Sequence, residues 1–154
     1  MAGNADVKAG GEPNPASDGK SRVWLYMVDG RNQQDIAILD QGFDRWRGNP
    51  NTEVGDLVLM YRTAPYSDIA FLFVAKSKAY ETVPNRSFPW KHAIELGDGF
   101  RLRRVVKLNE LKKDSSLEHW KFLRNQRGAT SRKDDLRKQG VWRGLRNLLE
   151  SIFV

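Results

Sequence analysis

The order of apolar and polar positions divides this chain into short, strongly apolar runs early and amphipathic segments late. Val23-Trp24-Leu25-Tyr26-Met27-Val28 is β-branched, aromatic and apolar without interruption, and Asp29-Gly30 ends it as a turn. It therefore predicts a buried strand. Alternation sends Trp24 and Tyr26 to one face and Leu25 and Met27 to the other. Val54-Gly55-Asp56 turns into a second run, Leu57 to Arg62, and Ile69 to Ala75 is a third. Only the polar loop Ala64-Pro65-Tyr66-Ser67-Asp68 separates those two, so they predict a hairpin deep in a sheet. Ala93 to Leu96 reads as another strand and Gly97-Asp98-Gly99 as a tight turn. Phe100-Arg101-Leu102-Arg103 alternates apolar with basic, the pattern of a half-exposed strand with its arginines outward.

Helical signals are weaker in the first two thirds. Asp35 can cap a short helix through Ile36 and Leu39 that stops near Gly42, and Gly48, Asn49 and Pro50 break regular structure after it. The last third predicts helices. Ser115 and Glu118 have capping-box spacing, with Leu117, Trp120 and Phe122 or Leu123 as the inward stripe. Gly128 to Ser131 breaks that helix, and Asp134-Asp135 suits the first turn of the next. Val141, Leu145, Leu148, Leu149 and Ile152 repeat at helical intervals. Strands mixed with peripheral helices, without regular βαβ alternation, predict an α+β domain around a curved or barrel-like mixed sheet with flanking helices. Residues 1–20, rich in Gly, Pro, Ser, Asn and Asp, read as a disordered leader, which leaves 21–154 as one domain.

Composition narrows the partners. At 154 residues and 40% apolar content the chain can bury a real core. No run approaches the ~20 apolar residues of a membrane span, and the first residues lack the charged start and apolar stretch of a secretory signal. Cysteine is absent, which removes disulfides, thiol nucleophiles and thiolate metal sites, and only His92 and His119 remain for imidazole ligation. A cytoplasmic monomer without metal or cofactor is the expectation. The 26 basic residues exceed the 19 acidic ones, and 15 basic against 5 acidic fall between Arg101 and Arg146. Such asymmetry attracts polyanions, with nucleic acid, DNA or RNA, as the expected partner. Arg103, Arg124 and Arg127 are the candidate phosphate contacts.

Catalytic motifs are missing: there is no Gly-rich phosphate loop after a strand, no G-x-S-x-G elbow and no H-E-x-x-H pair. What the chain offers instead is aromatic residues beside polar and cationic ones at chain breaks. Trp46 precedes Arg47-Gly48-Asn49, Tyr61 precedes Arg62-Thr63, and Arg124 to Thr130 joins two predicted helices. Base recognition uses these ingredients: an aromatic plate for the ring face, polar groups for its edge, arginines for phosphates. Gly48 and Pro50 would turn the chain so that Trp46 faces the end of the strand carrying Tyr61. The structural alternative has Trp46 plugging one end of a barrel.

The run Val54-Gly55-Asp56-Leu57-Val58-Leu59-Met60-Tyr61-Arg62-Thr63, with Trp46 upstream, the strand Ile69 to Ala75 and the late Arg127-Gly128-Ala129-Thr130, resembles the EVE domain family of the PUA-like group, relatives of the YTH domains. The resemblance spans Arg22 to about Phe153. It implies a PUA-like barrel with flanking helices and a non-enzymatic module that flips a modified nucleobase into an aromatic-lined pocket. On that analogy Trp46 and Tyr61 form stacking walls, Arg62 and Thr63 sit at the rim, and Gly128 and Thr130 close the pocket. The chain departs from the family pattern where Tyr61 stands for the commoner Trp, Thr63 for Ser, and Ala64-Pro65 for a Gly-rich turn, and where Asp29-Gly30-Arg31-Asn32 differs from the polar residues that usually follow the first strand. The competing readings are an accessory domain of an RNA-modifying or processing enzyme, and a sensor of a nucleotide-like small ligand.

Overall fold

The computed structural model describes residues 21–41, 45–97, 99–126 and 135–153. The predicted leader 1–20 and the segment 127–134 lie outside them. The elements run in the order β1 (Val23–Val28), α1 (Gln33–Gln41), β2 (Arg45–Arg47), β3 (Leu57–Arg62), β4 (Asp68–Val74), β5 (Tyr80–Glu81), β6 (His92–Glu95), β7 (Phe100–Lys107), α2 (Leu108–Lys113) and α3 (Trp142–Phe153), with two 3-10 turns, Ser115–Leu117 and Lys121–Leu123, after α2. The strands form a four-stranded sheet, β1-β3-β4-β7, and a three-stranded sheet, β2-β6-β5. β1 runs parallel to β3, while the β3–β4 hairpin and the β4–β7 pair are antiparallel. Where β4 ends, the bridge Ala75–Leu96 and the bond from Lys76 N–H to Glu95 O (2.8 Å) lead the chain into the second sheet. The result is a mixed α+β architecture of two sheets with helices, the class that strands mixed with helices predict.

β1 and β3 are buried along their whole length, on both faces, as their largely apolar runs require. Trp24, Tyr26, Val58, Met60 and Phe73 pack between the two sheets together with Trp46 and Ile94. Leu25, Met27, Leu59, Tyr61 and Leu72 face the opposite way, into a layer built from Leu117, Trp120, Phe122, Leu145 and Leu149. The strand alternation thus separates two cores. The Gly-Asp turn before β3 has a structural explanation. Gly55 adopts φ +89°, a conformation glycine takes readily, and Asp56, buried, accepts from Arg22 N–H (3.0 Å), Trp24 Nε1–H (2.9 Å) and Glu53 N–H (2.8 Å).

Several local expectations differ from the structure. The α1 cap is Asn32, whose Oδ1 accepts from Asp35 N–H at 3.1 Å, so Asp35 sits inside the first turn. Ser115 starts no α-helix: Asp114 caps a 3-10 turn through Ser116 N–H (2.9 Å), and tertiary burial of Leu117, Trp120 and Phe122 holds two short turns in place of one helix. The reciprocal Glu contact belongs to α2, where Glu110 accepts from Lys107 N–H at 3.0 Å. Trp46 lies in a three-residue strand paired with β6, not in a bare corner.

The exits of β1 and β3 are tied together at Thr63. Its N–H donates to Val28 O (2.9 Å), and its Oγ1 accepts from Gly30 N–H (2.9 Å). A Cβ on Gly30 would stand 2.1 Å from Thr63 O and 2.7 Å from Ala64 O. Both obstacles are backbone and cannot rotate away. Gly30→Ala is therefore expected to lower stability by ~1–3 kcal/mol, read as a fall in the urea midpoint at unchanged m-value; a parental midpoint would show that the two exits separate easily.

Candidate nucleic-acid interface

A cleft of about 310 Å³ opens where β1 and β3 end, lined by Asp29, Arg31, Tyr61, Thr63, Ala64, Ser67, Arg124, Asn125 and Gln126. Three chain segments converge there for identifiable reasons. The Asp29-Gly30 turn leaves β1, the Thr63–Ser67 loop leaves β3, and the turn Lys121–Leu123 carries Arg124 to Gln126 across from them. Gln126 fixes that last segment by donating from Nε2 to Phe122 O (2.8 Å) and Leu123 O (2.9 Å). Asp29 fixes the first, its Oδ1 accepting from Arg31 N–H at 2.9 Å. The register of β3 against β4 shifts at Met60/Tyr61, beside the cleft, a place where such irregularities re-aim side chains.

Tyr61 forms the floor. It is only 1% exposed, with its ring edge-on to Phe122 at 4.9 Å, and its hydroxyl bonds Ser67. Burial pushes the phenol pKa up, opposed by the Ser67 hydrogen bond and assisted by the Asp68 charge. Tyr61 therefore presents a neutral hydroxyl edge rather than an open aromatic face. Arg31 and Arg124, both exposed, supply cationic planes at the mouth, and Asp29 supplies an acceptor.

Of the residues picked from the sequence, Tyr61, Thr63 and Arg124 meet in this cleft. Trp46 does not. It is buried between the sheets with Ile94 and Met60, on the face of β3 opposite to Tyr61, so the two rings cannot wall one slot. The correction follows from strand alternation: Tyr61 shares its face with Leu57 and Leu59 and not with Val58 and Met60. Arg62 is not at the rim either. It is buried and pairs in a fork with Asp68, Nε to Oδ1 at 2.8 Å and Nη2 to Oδ2 at 2.9 Å, with its guanidinium 4.1 Å from the centroid of Tyr66. Arg103 is exposed on β7, away from the cleft lining. Gly128, Thr130 and Arg127 lie outside the described residues. Sequence reasoning missed Asp29, Arg31 and Ser67 as site residues, although Asp29 to Asn32 depart from the family pattern; all three lie in the connections that leave β1 and β3.

Among the described residues no group of three or more His, Asp or Glu is placed to hold a metal ion, and no helix is long and apolar enough to cross a membrane. No family model matches the sequence, and no match to a curated protein was found. Solved structures do match. The human THYN1 protein in complex with 5-methylcytosine-containing DNA superimposes with a TM-score of 0.59 at 17% identity, over 84% of this chain and 98% of that one. The protein Rpa0253 from Rhodopseudomonas palustris gives 0.59 at 16%, over 85% and 94%. A hypothetical protein from Leishmania major gives 0.56 at 17%, over 85% and 96%. The likeness is one of fold at low identity, and it is consistent with the architecture that the resemblance to EVE domains implies.

Proposed function

We propose that this domain is a non-enzymatic nucleic-acid-binding module that accepts a flipped, modified nucleobase in the cleft between the exits of β1 and β3. The observation that carries the reading is the convergence of Tyr61, Thr63 and Arg124 on one cleft whose volume falls in the ~300–1,000 Å³ range of small-molecule sites. The shared architecture with a protein seen bound to 5-methylcytosine-containing DNA supports it. In this reading Tyr61 and Thr63 read the ring edge from the floor. Arg31 and Arg124 stack on or pair with the nucleotide at the mouth. Asp29 accepts from an exocyclic amino group, the acceptor role an acidic side chain takes toward cytosine N4. The base-facing chemistry is thus polar and cationic more than aromatic.

The test compares short oligonucleotides with one modified base, 5-methylcytosine first, against plain ones. A methyl in a fitted slot is worth ~1–3 kcal/mol, so the parent should prefer one modified oligonucleotide by about 5-fold or more. Asp29→Ala should lose the preference for amino-bearing bases. Arg124→Ala should weaken all sequences alike and reduce the salt slope by about 0.9 for a duplex contact. Equal affinity of the parent for every modified and plain probe would dismiss the reading. A salt-insensitive parent would favour a nucleotide-like small ligand.

A further inference from the structure

A second groove, of about 330 Å³, runs between the edge strand β1 and the start of β6, lined by Tyr26, Arg47, Asn49, Trp90, Lys91 and His92 together with Leu25, Met27 and Gly48. Its lining carries two permanent cations and no carboxylate. Trp90 is part-exposed and is held by two neighbours. Its ring meets Phe88 edge-on at 5.1 Å, and the Arg47 guanidinium lies 5.3 Å from its centroid. Its carbonyl accepts from the Thr82 hydroxyl. Gly48 N–H donates to His92 O (2.9 Å), and Asn49 N–H donates to the Tyr26 hydroxyl (3.0 Å), so the walls are fixed by main-chain bonds. A pre-oriented indole beside a guanidinium, in a groove lined by cations, is the chemistry of a stacking platform for an unpaired base with a phosphate beside it.

We infer that this groove is a second nucleic-acid site, in which a base of a single strand stacks on Trp90 while its phosphates lie against Arg47 and Lys91. The inference rests on the reading of the domain as a nucleic-acid binder but uses a different cleft. The two sites share one strand: the groove is lined by Leu25 to Met27 of β1, and the cleft begins at Asp29, just beyond the end of β1. A strand that places a flipped base at Tyr61 would therefore lead its neighbouring nucleotides toward Trp90. Arg47 and Lys91 carry the permanent positive charge of the groove.

The experiment uses the whole chain and an unmodified oligothymidine, single-stranded and as a duplex, followed by fluorescence anisotropy across a salt series. Trp90→Leu should weaken single-strand binding by about 5- to 150-fold, while Trp90→Phe retains most of it and duplex affinity changes far less. Lys91→Gln should flatten the single-strand salt slope by about 0.7. Trp90→Leu with parental unfolding midpoint and parental single-strand affinity overturns the inference. If that variant does not fold, parental affinity and slope in Lys91→Gln and Arg47→Gln overturn it instead. A strand-forming peptide at the β1 edge would give salt-insensitive competition with the oligothymidine, and that result also overturns it. Failure of the flipped-base reading is separately visible, because it removes the preference for modified probes and leaves the Trp90 effect on plain single strands intact.

Discussion

Asp68→Ala is expected to lower the unfolding free energy by about 3–5 kcal/mol, the cost of leaving a buried charge without its partner. Asp68 is 1% exposed and accepts both arms of the Arg62 fork, with Lys107 Nζ a further 3.6 Å from Oδ2. The guanidinium is itself enclosed, stacked against Tyr66. Removing the carboxylate strands that cation where water cannot reach it. Replacing both partners, Arg62→Met with Asp68→Leu, should recover much of the loss, since desolvation of the pair then disappears together with its attraction. Urea unfolding of the three proteins measures this. A single Asp68→Ala variant within 1 kcal/mol of the parent would mean that Arg62 swings out to solvent, and Arg62 would return to consideration as a ligand-facing residue. Because Asp68 begins the strand that pairs with β3 at Arg62, the same loss should loosen the Thr63–Ser67 loop and weaken binding in the cleft.

Trp46→Ala should be as costly, about 3–5 kcal/mol, and for a different reason. The indole is 8% exposed and fills space between the two sheets, so truncation leaves a cavity that the rigid strands around it cannot close. Trp46→Phe should cost distinctly less. At a temperature where both variants are fully folded, each should keep the parent's preference among modified and plain oligonucleotides, because Trp46 lies on the far face of β3 from Tyr61. If Trp46→Phe keeps parental stability yet loses the preference, the indole contacts the base after all and the cleft at the β1 and β3 exits is not the reading site.

Much of the fold was legible in the sequence because burial writes itself into local patterns. The runs Val23–Val28, Leu57–Tyr61 and Ile69–Ala75 are apolar on every position, and only strands covered on both faces tolerate that. The split of Trp24 and Tyr26 from Leu25 and Met27 into two cores follows from the two-residue period of a strand. The short turns after α2 were not legible. Ser115 and Glu118 have capping-box spacing, but the helix it would start yields to packing of Leu117, Trp120 and Phe122 against the sheet, and tertiary burial outweighs a cap worth about 1 kcal/mol.

The candidate site divides the same way. The sequence by itself determined that Tyr61 ends a buried strand, that Thr63 follows it at a loop, and that basic charge gathers in the last third, because these are properties of residues close together along the chain. Which groups share a cleft was decided only by tertiary structure. Parallel pairing of β1 with β3 puts Asp29 and Arg31 beside Thr63, more than thirty positions away, and the turn at Lys121–Leu123 brings Arg124 to the same place. The same pairing decides against Trp46. One residue of strand register sets which face a side chain takes, and neither the composition nor the spacing of Trp46 and Tyr61 encodes which of the two cores each ring enters.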